Sequence, residues 1–216
     1  MIKNYLFSLI IATVFLSGCS VNPVTGKQEL SLVSEAQELQ IGAQQYAPLR
    51  QSQGGDYAVD AALTKYVNDV GQKLAAVSDR KLPYEFKVLN NSTPNAWALP
   101  GGKISINRGL LTELGSESEL AAVLGHEITH AAAKHGVRSM SRGVLLQGAM
   151  MATVIASQGK DYAQLAQLGA GIGAQLITTK YGRDAERESD YYGMRYMSRA
   201  GYDPQGAVDL QKTFVK

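Results

Sequence analysis

Apolar residues recur at helical spacing in several segments of this chain, and short polar or glycine-containing breaks separate the segments. Ser34 and Gln37 have the spacing of a capping box, which predicts a helix that runs to about Arg50. After a break at 51–55, apolar positions with helical period predict a second helix over about residues 57–77. The first part of the chain is therefore expected to be helical.

A short β region is predicted next. Apolar and charged residues alternate over 84–88, as on a half-buried strand. Two further strands, 95–99 and 103–107, flank Pro100-Gly101-Gly102, which is a strong turn signal. The sequence thus predicts a small sheet between helical segments.

A third helix pattern follows the sheet. Ser116 and Glu119 again have capping-box spacing, and Gly136 after His135 is a suitable stop. A broad apolar surface predicts that this helix is largely buried. Its residues are Leu120, Ala121, Val123, Leu124, Ile128, Ala131 and Ala132.

Residues 137–180 contain two apolar segments, Val144 to Ala156 and Tyr162 to Ile177, on either side of a polar break at 157–161. They predict two helices, and we hypothesise that these form a movable cover over a cleft. The alternative is contact with a membrane, although the first apolar run is too short to span one.

The third helix carries His126-Glu127-Ile128-Thr129-His130, which uses two of the three histidines in the chain. Residues four apart share one helix face, so the two imidazoles can bind one metal ion. Glu127 lies beside them, where it can accept a proton from an attacking water molecule. The segment therefore predicts the centre of a metallohydrolase; the alternative is a helix with two surface histidines.

A catalytic zinc ion usually takes a third protein ligand. His135 is rejected because nine residues after His126 correspond to about 180° around a helix, which turns the side chain away. We expect it to be a structural or solvent-facing histidine. The only cysteine is Cys19, so a carboxylate is the expected ligand.

The best source of that carboxylate is the segment 181–190. Glu186 and Asp190 are four apart on a predicted helix, so one can bind the metal while the other accepts the N–H of a ligating histidine. Glu186 is the favoured ligand. Glu188 would point about 160° away from Asp190 and is a weaker candidate. The alternative is a solvated run of charges.

Several segments together carry a family resemblance. The motif at 126–130 followed by Glu-x-x-x-Asp is the gluzincin pattern, and the sequences at 22–27, 95–102 and 181–190 are similar to those of the HtpX/BepA/Oma-type zinc metallopeptidases of peptidase family M48. The likeness, closest to bacterial lipoprotein members, covers about residues 22–212.

The resemblance implies an α+β fold, a mainly helical zincin-like metalloprotease domain with a small β-sheet beside the metal-binding helix. It implies one Zn²⁺ per chain on His126, His130 and Glu186, with Glu127 as general base and Asp190 hydrogen-bonded to a ligand. Many members carry a further histidine in a C-terminal His-Pro element, and none follows His135 here. Nothing in the sequence chooses a transition-state electrophile among Tyr181, Arg183, Tyr191 and Tyr192.

The N-terminal residues predict a signal peptide over 1–18, because a short apolar stretch ends in Leu16-Ser17-Gly18-Cys19, which resembles a bacterial lipobox. Cys19 would then carry lipid and place the protein on the periplasmic side of the cell envelope, with the outer membrane favoured by Ser20. The alternative is an uncleaved anchor with an incidental cysteine. Residues 19–33 are expected to form a tether and lead-in, and residues 34–216 the metallopeptidase domain.

Composition adds little: 45% hydrophobic residues, 19% charged residues and a net charge of +2. No basic patch indicates nucleic-acid binding.

Polypeptides are the expected substrates, because an edge strand beside the metal helix can bind a peptide backbone as an added strand. We hypothesise that Asn95, Ala96, Trp97 and Ala98 do so; an interior strand is the alternative.

The family resemblance implies proteolysis of misfolded or misassembled envelope proteins, and a connection with envelope-assembly machinery. The competing class is a zinc-stabilised periplasmic chaperone or assembly factor with little or no proteolysis.

Overall fold

A computed structural model describes residues 19–158 and 181–214, which form an α+β fold of helices around a small sheet. The strands are β1 Cys19–Val21, β2 Gln28–Leu30, β3 Glu85–Leu89, β4 Ala96–Leu99 and β5 Lys103–Asn107. The α-helices are α1 Glu35–Ser52, α2 Ala61–Ala75, α3 Arg108–Leu111, α4 Glu117–Ala132, α5 His135–Gln158, α6 Arg183–Arg199 and α7 Gln205–Phe214.

The predicted N-terminal caps of α1 and α4 are both present. The Ser34 hydroxyl accepts the Gln37 N–H and the Gln37 side chain accepts the Ser34 N–H, so the capping box is complete. Helix α2 begins later than predicted, with Asp60 as its N-cap. The preceding Tyr57 instead donates its backbone N–H to Val88 of the sheet, which holds it in extended conformation.

The three-stranded sheet has the order β3-β5-β4. Strand β3 runs parallel to β5 and β4 runs antiparallel to it. In the described residues no strand pairs with the outer side of β4, so β4 is an edge strand of the sheet that these residues form. The other edge, β3, is partly covered by the segment at Gly55–Tyr57.

Helix α4 is the centre of the core and packs closely against α6. Leu124 and Ile128 of α4 are fully buried. Gly125 and Gly193 allow the two helices to approach each other, since a Cβ atom on Gly193 would lie 2.9 Å from the backbone nitrogen of His126. This close approach brings the first half of α6 over the metal-binding motif.

Helix α4 ends at Ala132, earlier than the predicted stop at Gly136. Lys134 adopts φ = 57°, the left-handed region, and α5 begins at the next residue, His135. The prediction was wrong because the chain turns at a lysine and not at a glycine. The first predicted segment of the cover lies in α5, whereas the second, 162–177, lies outside the described residues.

Strands β1 and β2 form an N-terminal hairpin that packs on the end of α4 and on α5. The Asn22 side chain is buried and donates to the carbonyl oxygen of Ala133 at 3.3 Å. Ser141 of α5 accepts the backbone N–H of Leu32 at 2.9 Å. Residues expected to be a tether and lead-in are therefore folded against the domain. Among the described helices, none combines the length and apolar character needed to cross a membrane.

Candidate metal centre

Helix α4 positions two imidazoles on one face. The Nε2 atoms of His126 and His130 lie 2.9 Å apart. His130 is buried and His126 is partly exposed toward a cleft. Their spacing follows directly from four residues of α-helix, as the sequence predicts.

Helix α6 adds the carboxylate of Glu186. Its oxygens lie 3.3 Å from His126 Nε2 and 3.7 Å from His130 Nε2, and one ligand atom from each of the three residues falls within 4.8 Å of the others. A tetrahedral zinc ion with bonds of about 2.0–2.1 Å separates its ligand atoms by about 3.3 Å. The three side chains therefore suit a zinc ion in both chemistry and spacing.

Asp190 lies one helical turn beyond Glu186 and contacts the other nitrogen of His126. Its Oδ1 atom is 2.9 Å from His126 Nδ1. A carboxylate accepts only, so Nδ1 carries the hydrogen, and a neutral ring would leave the lone pair of Nε2 facing His130 and Glu186 for a metal ion.

The two histidines differ in charge preference: the acidic groups favour a positive charge on His126, whereas burial and the charge of His126 lower the pKa of His130 well below its usual value. Burial alone would lower the pKa of His126, but hydrogen bonds to Asp190 and Glu186 and the charges around it raise it to about 10. Burial raises the pKa of Glu127 to about 7, with His126 opposing and Glu186 adding to this shift. A carboxyl group with such a pKa can accept and release a proton near neutral pH.

His135 does not face away from the site. Its Nδ1 atom lies 2.8 Å from Nδ1 of His130, and its Nε2 atom lies 3.1 Å from Glu188. The expected orientation was wrong because it assumed one continuous helix, whereas the turn at Lys134 brings His135 back under His130. Burial lowers the pKa of His135 to about 4, so the ring is neutral. Glu188 accordingly lies behind the ligands, away from the position of a metal ion.

Of the four residues left open as electrophiles, Tyr181 is the one that the structure places against His130. Its ring stacks on that of His130, with centroids 4.1 Å apart and planes inclined by 18°. Its hydroxyl lies 3.5 Å from the carbonyl oxygen of Ala98 on β4. Tyr191 is exposed and packs on Tyr192. Sequence position alone did not distinguish these residues.

A cleft of about 580 Å³ opens beside the ligands. Asn95 and Ala96 lie on one side of it, and His126, Glu127 and Glu186 on another. Its remaining lining is mostly apolar and comes from Pro94 and from helices α3, α4, α6 and α7. These residues include Leu110, Val123, Met194, Met197, Val208 and Leu210.

Comparison with known proteins agrees with this geometry. The model of Peptidase family M48 matches residues 61–216. The Beta-barrel assembly-enhancing protease of Yersinia pestis is 31% identical over 225 residues, 94% of this chain and 46% of that protein. The protein of the same name from Escherichia coli K12 is 29% identical over 201 residues, 90% and 41% of the two chains. Mitochondrial metalloendopeptidase OMA1 of Schizosaccharomyces pombe is 31% identical over 192 residues, 87% and 55%.

The fold and the possible metal site are those of the metallopeptidase class. The chain belongs to Peptidase family M48. It spans about half the length of these relatives, or less.

Proposed function

We propose that this protein is a zinc-dependent metalloendopeptidase of the bacterial cell envelope. The observation that carries the proposal is the convergence of His126, His130 and Glu186, with Glu127 beside them, at one wall of an open cleft. The cleft gives a polypeptide access to these groups.

Each residue of the proposed site has its own role in hydrolysis. His126, His130 and Glu186 hold the zinc ion, which when bound supplies a Lewis acid that activates water and polarises a carbonyl group. Glu127 accepts the proton of the attacking water and delivers it to the leaving amine, a transfer for which its raised pKa is suited. Asp190 fixes the ring of His126.

The free edge of β4 is suited to bind the substrate backbone. Asn107 donates to Asn95 across the antiparallel pair, and hydrogen-bonded pairs alternate along such a ladder. Trp97 therefore directs its backbone groups toward β5, whereas those of Ala96 and Ala98 point outward. The contact between Ala98 and Tyr181, which stacks on His130, supports an outer side that faces the proposed ligands.

The contacts of the Trp97 side chain support a structural role for this residue. Its indole N–H donates to Gln53 at 3.3 Å, and its ring packs edge-on against Tyr46. We therefore assign backbone binding to Ala96 and Ala98, with Trp97 and Asn95 holding the strand on β5. The apolar lining of the cleft would accept an apolar substrate side chain near the cleaved bond.

Cleavage of an unfolded protein tests the proposal. Glu127→Gln keeps the size of the side chain but cannot act as a base. Casein cleavage by the zinc-loaded protein should therefore fall by about 10³-fold, within the usual contribution of a general base. Zinc content measured on the same samples should remain equal to that of wild type, since Glu127 is not a ligand. His126→Ala should lose both metal and activity.

Equal cleavage by wild type and Glu127→Gln would contradict the assigned base. Zinc binding without any cleavage by wild type would favour a chaperone or assembly factor that retains the metal for stability.

The proposal includes the cellular location of the protein and its attachment to the membrane. We place the protein on the periplasmic side of the envelope, anchored by lipid on Cys19, with misassembled envelope proteins as substrates and envelope-assembly machinery as partner. The lipobox-like sequence before Cys19 supports the anchor, and the name of the bacterial relatives, Beta-barrel assembly-enhancing protease, supports the connection with envelope assembly. Incorporation of labelled palmitate by wild type but not by Cys19→Ser tests the anchor; equal labelling would contradict it.

A further inference from the structure

Behind the ligand His130 lies a buried chain of polar groups that the hydrolytic mechanism does not use. It runs from Nδ1 of His130 to Nδ1 of His135 at 2.8 Å, and from Nε2 of His135 to Glu188 at 3.1 Å. The side chain of His135 is fully buried, so both ring nitrogens need partners inside the protein.

Only one arrangement of hydrogens satisfies this chain when His130 binds the metal through Nε2. The neutral ring then carries its hydrogen on Nδ1, so His130 donates and Nδ1 of His135 accepts. His135 must carry its own hydrogen on Nε2, which donates to the Glu188 carboxylate. The Ser189 hydroxyl lies 3.4 Å from the same nitrogen, a longer contact that leaves the single lone pair of Nδ1 to the His130 hydrogen at 2.8 Å.

The two ligating histidines are thus held by different means. Asp190 accepts directly from His126 and is half exposed. His130 instead donates to the imidazole of His135, which in turn donates to the carboxylate of Glu188. Glu188 in turn contacts Arg138 at 3.5 Å and Lys27 at 3.8 Å, and Arg138 also pairs with Glu29. The N-terminal hairpin therefore contacts Glu188 and Arg138, at the end of the hydrogen-bonded chain that is farthest from His130.

We propose that His135 and Glu188 form a positioning relay that fixes the ring and the Nδ1 hydrogen of His130, and so sets the affinity of the site for zinc. The relay rests on the proposed function in one respect, that His130 binds the metal through Nε2. Partners of this kind usually change metal affinity by about 10- to 100-fold when they are removed.

Two substitutions of His135 separate hydrogen bonding from packing. His135→Phe keeps a planar ring but leaves the Nδ1–H of His130 without an acceptor. His135→Asn is smaller, yet its amide oxygen branches from the same carbon as Nδ1 and can accept that hydrogen. Zinc affinity of the full chain, measured by competition with a chromophoric chelator, should fall by about 10- to 100-fold for His135→Phe and recover most of this loss for His135→Asn.

Ile128→Val is a matched control, because Ile128 is a buried residue of α4 that is not among the proposed ligands or relay residues. Its zinc affinity should equal that of wild type. The visible spectrum of the Co²⁺ form should change for His135→Phe and stay close to wild type for His135→Asn.

Unchanged zinc affinity in folded His135→Phe would overturn the relay. Equal losses of zinc affinity in both His135 variants would also overturn it, because packing and not hydrogen bonding would then set the affinity. Wild type that binds no zinc would overturn the proposed metal site itself, a distinct outcome. Should His135→Phe fail to fold, the hydrogen positions in zinc-loaded wild type decide the question by ¹⁵N NMR. Hydrogen on Nδ1 of His130 and on Nε2 of His135 is expected; hydrogen on Nδ1 of His135 would overturn the relay.

Discussion

Lys134 is the residue that shapes the end of the metal-binding helix. It is the one non-glycine residue with positive φ among the described positions, at 57°. Left-handed backbone costs an L-residue about 1–2 kcal/mol, although lysine tolerates it better than a β-branched residue does. The strain is compensated by the contacts that follow, since the turn carries His135 under His130.

Substitution of Lys134 should therefore depend on backbone preference more than on charge. We expect Lys134→Gly to leave thermal stability unchanged or to raise it by up to about 1 kcal/mol, because relief of strain is partly offset by the greater freedom of glycine in the unfolded chain. Lys134→Ile should destabilise by about 1–2 kcal/mol. Thermal unfolding of the three proteins measures both effects, and equal losses for glycine and isoleucine would instead indicate a role for the ammonium group.

The same residue explains a limit of sequence-based prediction. The positions of His126 and His130 follow from local helix geometry, which four intervening peptide units determine almost completely. The position of His135 depends on where the helix stops, and no glycine marks that point. A lysine in left-handed conformation leaves no compositional signal, so the sequence indicates a continuing helix there.

At the scale of elements, the helix pair α4 and α6 and the edge strand β4 build the site between them. The sequence predicts Glu186 as a ligand because few other groups can complete the set, but the approach of the two helices depends on Gly125 and Gly193. Strand order is not encoded locally, since alternation over a few residues is the same for an edge strand and an interior one. The edge position of β4 therefore required the three-dimensional structure.

Proline at position 98 tests the function of that edge. Because the backbone N–H of Ala98 points away from β5, Ala98→Pro removes a donor from the outer edge and leaves the ladder with β5 intact. We expect peptide cleavage to fall by about tenfold, the loss of roughly one hydrogen bond, with little change in the melting temperature. Ala98→Ser is the control, as it is similar in size and keeps the N–H. Wild-type turnover by stably folded Ala98→Pro would disprove strand addition at this position.

For the whole molecule, a buried ion pair joins the parts that surround the site. Glu38 of α1 and Arg80, which follows α2, are almost fully buried and form two hydrogen bonds of 2.8 Å. Glu38 also accepts the N–H of Gly101 in the turn after β4, and Arg80 contacts the carbonyl oxygen of Ala131 near the end of α4. One pair thus connects the first helix, the edge-strand turn and the metal-binding helix.

Removal of one partner should therefore be costly. Glu38→Leu leaves the Arg80 guanidinium buried without its carboxylate, and we expect a loss of about 3–5 kcal/mol in the free energy of unfolding. The double variant Glu38→Leu/Arg80→Met buries apolar groups in place of both charges and should recover a large part of that loss, because the cost of the single variant is mainly the unpaired charge. Denaturant unfolding of both single variants and the double variant gives the coupling energy. Strictly additive losses would mean that the pair contributes no interaction of its own, and that the three elements are held together by their apolar contacts alone.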